Sequence, residues 1–165
     1  MISPDSGDSK VSLTIPMRAE YVSIARLTAA GVANRLGFDI ETIEDIKVSL
    51  SEVCNRIINT QKKHSGDSVT ECKIEFLSSA NSLNIGFFVD SMESIEYFVR
   101  DDASSRKDAD GAAGNGMAGN GFDVDRHLEE NYEDQLQLSL ITLLMDEFVV
   151  HPEENCLVSM KKYLD

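Results

Sequence analysis

Residues 43–58 read IEDIKVSLSEVCNRII, and the spacing of their apolar members decides the fold. Ile43, Ile46, Leu50, Val53, Cys54, Ile57 and Ile58 recur every three or four positions, which lays them along one side of an α-helix. Asp39 stands where an N-cap belongs, so the helix is expected to start just after it and to run to about Lys62 or Lys63. A long one-sided helix needs an apolar surface to cover, and the flanking sequence supplies one.

Upstream, Val11, Leu13 and Ile15 alternate with polar neighbours and stop at Pro16, the pattern of a strand. Glu20 to Leu36 then carries Val22, Leu27, Ala30, Ala33 and Leu36 at helical spacing, and Gly37 is placed to end that helix. Downstream, a turn containing Gly66 leads to two alternating runs. The first is Cys72, Ile74 and Phe76; the second is Leu83, Ile85, Phe87 and Val89, with a turn around Ala80 to Ser82 between them. An antiparallel hairpin is the simple arrangement. Leu136 to Phe148 has helical spacing again, and Phe148 to Val150 and Cys156 to Met160 close the chain as a strand pair. The order β-α-α-β-β-loop-α-β-β predicts an α/β two-layer sandwich: a mixed, mainly antiparallel sheet with helices on one face. Residues 1–10 are expected to be a disordered N-terminus, and residues 11–165 one domain.

The segment between the hairpin and the last helix differs in kind. From Asp90 to Asp134 there are 13 acidic and 4 basic residues, net −9 of the total −14, and five of the ten glycines lie in Gly111 to Gly121. Such a composition cannot bury enough apolar surface to order itself, so a long acidic, glycine-rich loop is expected at about residues 100–131. A loop of that length inside a domain points to function, although a glycine-rich stretch also serves as a plain tether.

The charge of −14 argues against nucleic acid or an anionic membrane as a direct partner, since both reward a basic surface. No apolar run has the length of a bilayer span, and Met1 to Lys10 lacks the pattern of a signal peptide, so a cytoplasmic location is expected. Cys54, Cys72 and Cys156 show no metal spacing and suit small buried hydrophobes. His64, His127 and His151 are far apart in sequence and are given no role.

Four stretches together resemble the bacterial anti-sigma factor and switch-protein serine kinase family, a branch of the ATPases related to histidine kinases. They are residues 20–31 (EYVSIARLTAAG), 43–54 (IEDIKVSLSEVC), 144–148 (LMDEF) and 160–164 (MKKYL), in the family's order and at about its spacing. The resemblance implies the same two-layer fold. It also implies a sigma factor and an anti-sigma antagonist protein as partners, a homodimer, and in many members ATP-dependent phosphorylation of a serine on the antagonist.

The family's site residues can be carried over one at a time. Its helical Glu, the base that activates the attacking hydroxyl, matches Glu52; the Asn four residues later, whose oxygen holds Mg²⁺, is Arg56 here. A guanidinium has donors and no lone pair for a cation that demands oxygen. Arg56 is also spaced for an i,i+4 ion pair with Glu52, and these residues would equally suit a solvated polar helix face. Asn55 and Asn59 are the nearby amides that could substitute as ligands. The family's adenine-binding Asp matches Asp90, but Met92 stands where a Gly follows it. In the glycine-rich entry to the last helix, Gln135 and Gln137 replace glycines, and no glycine occurs from Phe122 to Asp165. The expectation is therefore weak or absent ATP or ADP binding, a doubtful Mg²⁺, and no other metal. The alternative is an active serine kinase with unorthodox Mg²⁺ ligation. The family's partner-binding Arg on the first helix matches Arg26, which lies off the apolar positions and is expected to be exposed.

Overall fold

The computed structural model of the chain describes residues 8–65, 69–89, 136–151 and 156–164. Strand β1 (Ser9–Pro16) leads into α1 (Ala19–Leu36) and α2 (Ile40–Ser65), then into the hairpin of β2 (Glu71–Ser79) and β3 (Ser82–Val89). Helix α3 (residues 136–144), β4 (Glu147–Val150) and β5 (Cys156–Tyr163) follow. The sheet order is β1-β2-β3-β5-β4, and each neighbouring pair is antiparallel. The two-layer α/β sandwich expected from the sequence is the fold found. β1 begins at Ser9, so Ser9 and Lys10 belong to the sheet and not to a disordered terminus.

The pleat sorts the residues as the alternation requires. Cys72, Ile74 and Phe76 on β2, Leu83, Ile85, Phe87 and Val89 on β3, and Val158 and Met160 on β5 are all buried on the helix side. Residues between them form the other face. There Glu75 sits 2.6 Å from Lys10 and 3.0 Å from Lys73, and hydrogen bonds from both lysines hold its carboxyl below the usual carboxylate range.

Each helix is stopped and started by its own chemistry. Gly37, at φ 90°, ends α1: its N–H donates to the Asn34 carbonyl and that of Phe38 to the Ala33 carbonyl, and Phe38 is buried beside them. Those paired bonds form a Schellman cap, and the positive φ is why glycine is there. Asp39 caps α2 as expected, accepting from the Thr42 N–H at 2.7 Å, which lowers the Asp39 pKa. α2 runs to Ser65, slightly past the expected end. Near its end the buried Gln61 accepts from the Thr70 N–H and donates to the Met17 carbonyl, tying the entries of α1 and β2 to the helix.

Two expectations fail in detail. The buried side of α1 is Val22, Ala25, Ala29 and Ala33, while Leu27 is 72% exposed and Ile24 is exposed as well. Small side chains let α1 lie close to its neighbours, so burial there follows the alanines and not the larger leucine. The last helix stops at residue 144 instead of Phe148. Lys162 donates to the Leu144 carbonyl at 2.9 Å, and Asp146 accepts from the Tyr163 N–H at 2.7 Å. β5 thus takes the chain out of the helix and into β4. Cys54 and Cys72 are fully buried and form no disulfide, and burial pushes the Cys54 thiol up, as suits the small-hydrophobe reading. The side chain of Cys156, residues 1–7 and the loop expected at about 100–131 lie outside the described residues.

Candidate functional site

The second helix presents one side to the sheet and one flank to the site. Residues 49, 52 and 56 are spaced three and four apart, so they follow one another along that flank. Ser49 is fully buried, and among the described residues its Oγ finds no hydrogen-bond partner. Glu52 is half-buried. Arg56 is only 2% exposed, which overturns the solvated-face reading at this position. The i,i+4 ion pair expected between Glu52 and Arg56 is not among those of the described residues.

The amides that could stand in as ligands diverge. Asn55 is half-buried, and Asn59 is exposed. Gln137, in the first turn described for α3, has a buried Oε1 without a partner among the described residues. Asp90, Met92, Gln135, Glu133 and Asp134 lie outside the described residues. Among the described residues, no three His, Cys, Asp or Glu side chains come together as a metal site.

On α1, Arg26 is half-buried, not fully exposed as expected. Its neighbours Ile24 and Leu27 are exposed at 44% and 72%. Two apolar side chains beside a cation make a surface that can lose water to a partner and still give direction through the guanidinium. Sequence periodicity had assigned Leu27 to the core, so this patch was missed; the run of alanines at positions 25, 29 and 33 was the available signal.

Comparison with known proteins adds to this geometry. The histidine kinase-like ATPase domain matches residues 15–162. The chain belongs to that family. Among curated relatives, the serine-protein kinase RsbW of Bacillus cereus (strain G9842) is 36% identical over 161 residues, covering 94% of this chain and 85% of the relative. The RsbW of Bacillus mycoides (strain KBAB4) is 31% identical with the same coverage. That of Bacillus thuringiensis (strain Al Hakam) is 35% identical over 155 residues. The resemblance to the anti-sigma factor and serine kinase family therefore extends along nearly the whole chain.

A histidine kinase-like ATPase domain implies ATP with Mg²⁺; where the family's helical Asn would supply an oxygen ligand, this chain has Arg56, which offers only donors, and Asn55 is the half-buried amide next to it.

Proposed function

We propose that this chain is an anti-sigma regulator: a binding protein that holds a sigma factor, an anti-sigma antagonist protein, or each in turn, with ATP·Mg²⁺ binding weak or lost. The observation that carries the reading is the buried guanidinium of Arg56, one helical turn beyond Glu52. It takes the space and the charge that a metal-bound triphosphate would need. The proposal includes a homodimer in the cytoplasm. Neither nucleic acid nor membrane is a direct partner, in keeping with the net charge of −14. No helix of the described residues is long and apolar enough to cross a membrane.

Calorimetric titration with ATP and with ADP, both in Mg²⁺, tests the reading. The expected Kd is weaker than about 1 mM, or less than about 4 kcal/mol of binding. Micromolar binding would overturn it.

The partner surface is tested separately. Arg26→Ala is expected to weaken binding to the host's sigma factor or antagonist by roughly fivefold, about 1 kcal/mol, as for a cation at the edge of an apolar contact. Thermal stability should not change. Unaltered affinity in surface plasmon resonance would remove Arg26 from the interface.

The second reading, an active serine kinase, draws on the half-buried Asn55, an amide three residues from Glu52 on the same helix. The relatives are serine-protein kinases. Transfer of label from γ-labelled ATP to a cognate antagonist would favour it over the first.

A further inference from the structure

The exposed side of α1 holds a residue that the fold does not ask for. Gly31 lies within the helix and is exposed, and a Cβ built on it would meet nothing within 4 Å. Its φ is not in the left-handed region, where Gly37 stands. A glycine inside a helix weakens folding relative to alanine, by roughly two- to fivefold in the equilibrium constant. At Gly37 the positive φ explains the residue; at Gly31 neither the backbone nor the packing does. A side chain left out of a surface serves something that comes close from outside.

Ile24 and Leu27, one and two turns before Gly31, are 44% and 72% exposed, and Arg35, one turn after it, is exposed. At 100° per residue the four lie within about 80° of one another, so the glycine is a notch in a row of two apolar side chains and a guanidinium. We propose that this row docks an acidic amphipathic helix of a partner protein, with an aliphatic side chain seated over Gly31 and a carboxylate at Arg35. A bare backbone lets two helices approach closely, since the side chains at the crossing set the distance between their axes. Charge selects the occupant. α1 and its N-cap carry Arg18, Arg26 and Arg35 against one acid, Glu20, which lies 3.9 Å from Arg18. Neither Arg26 nor Arg35 has an ion pair among the described residues. Those residues hold as many basic as acidic side chains, so the acid excess of the chain lies outside them. A second copy would bring the same arginines to this face and be repelled; a helix bordered by Glu and Asp is attracted. The inference rests on the reading of α1 as a partner surface, and it adds Gly31 and Arg35 to that surface.

The test uses the full chain and three peptide probes of about 18 residues, roughly five helical turns. One has Leu at helical spacing with Ala and Glu elsewhere, one is its scrambled isomer, and one has Lys in place of Glu. Binding is read by fluorescence anisotropy. The patterned acidic peptide should bind at least about tenfold more tightly than either control. Gly31→Gln fills the notch and should remove that preference. Arg35→Gln should weaken the acidic peptide about threefold and flatten its dependence on salt, which screens exposed charges. Gly31→Ala should raise Tm by about 1–4 °C, because the helix gains and nothing is crowded. Equal binding of the three peptides, or of the acidic peptide by the Gly31→Gln chain, overturns the proposal. A Tm lowered in Gly31→Ala or in Gly31→Gln would mean that the fold itself needs the glycine, and overturns it too. So does a dimer, seen by light scattering, that Gly31→Gln dissociates, which would assign the notch to a second copy. The regulator reading fails separately: if Arg26→Ala weakens the host's partner and Gly31→Gln does not, the reading stands and the notch falls, and the reverse result keeps the notch and removes Arg26.

Discussion

Replacing Arg56 by asparagine is expected to make ATP affinity depend on magnesium by about a hundredfold, or about 2.8 kcal/mol, where the natural chain should show little dependence. The substitution does two things at one position. It removes a fixed positive charge that repels the ion, and it supplies the carbonyl oxygen that Mg²⁺ accepts as a ligand. Arg56 is buried, so bulk water does little to soften either effect. Arg56→Leu separates them, because it removes the charge and provides no oxygen; it should remain insensitive to magnesium. Titration with ATP in Mg²⁺ and in EDTA reads the difference directly. If the asparagine variant behaves like the natural chain in both solutions, Arg56 does not set the magnesium dependence, and Gln137, whose enclosed oxygen has no partner among the described residues, becomes the next position to change.

The contrast between Arg56 and its own helix shows what a sequence carries. The apolar side of α2 was legible because Ile46, Leu50, Val53, Cys54, Ile57 and Ile58 repeat at helical spacing, and all of them are buried. The hairpin was legible for the same kind of reason, since period-two alternation places Ile74 and Ile85 on one face whatever the loops do. Arg56 was not, because a guanidinium on a helix is usually solvated, and its enclosure depends on what the fold lays over that flank. The end of α3 was illegible in another way. The run of sequence continues through residues 144–148, and lateral bonds to Lys161, Lys162 and Tyr163 on β5 break it into helix and strand. On α1 the failure was one of size. Periodicity weighs leucine above alanine, while close packing of helices favours the smaller residue.

That last failure bears on stability, where the largest loss is expected from Phe76→Ala. Phe76 is among the largest fully buried side chains, in the middle of β2, between Val11 of β1 and Ile85 of β3. Truncating a buried phenylalanine costs about 3–5 kcal/mol, the lost transfer free energy plus the cavity that neighbours fill only in part. For a domain of this size each kcal/mol moves Tm by about 2–4 °C, so a fall of roughly 6–20 °C should appear in thermal unfolding followed by circular dichroism. Leu27→Ala is the control: removal of a 72% exposed leucine should shift stability by no more than about 0.5 kcal/mol. If both substitutions cost the same, α1 does not lie as described, and the exposed patch around Arg26 loses its basis. If only Phe76 matters, the core runs through the inner face of the sheet and the alanines of α1, leaving the larger side chains of that helix free to meet another protein.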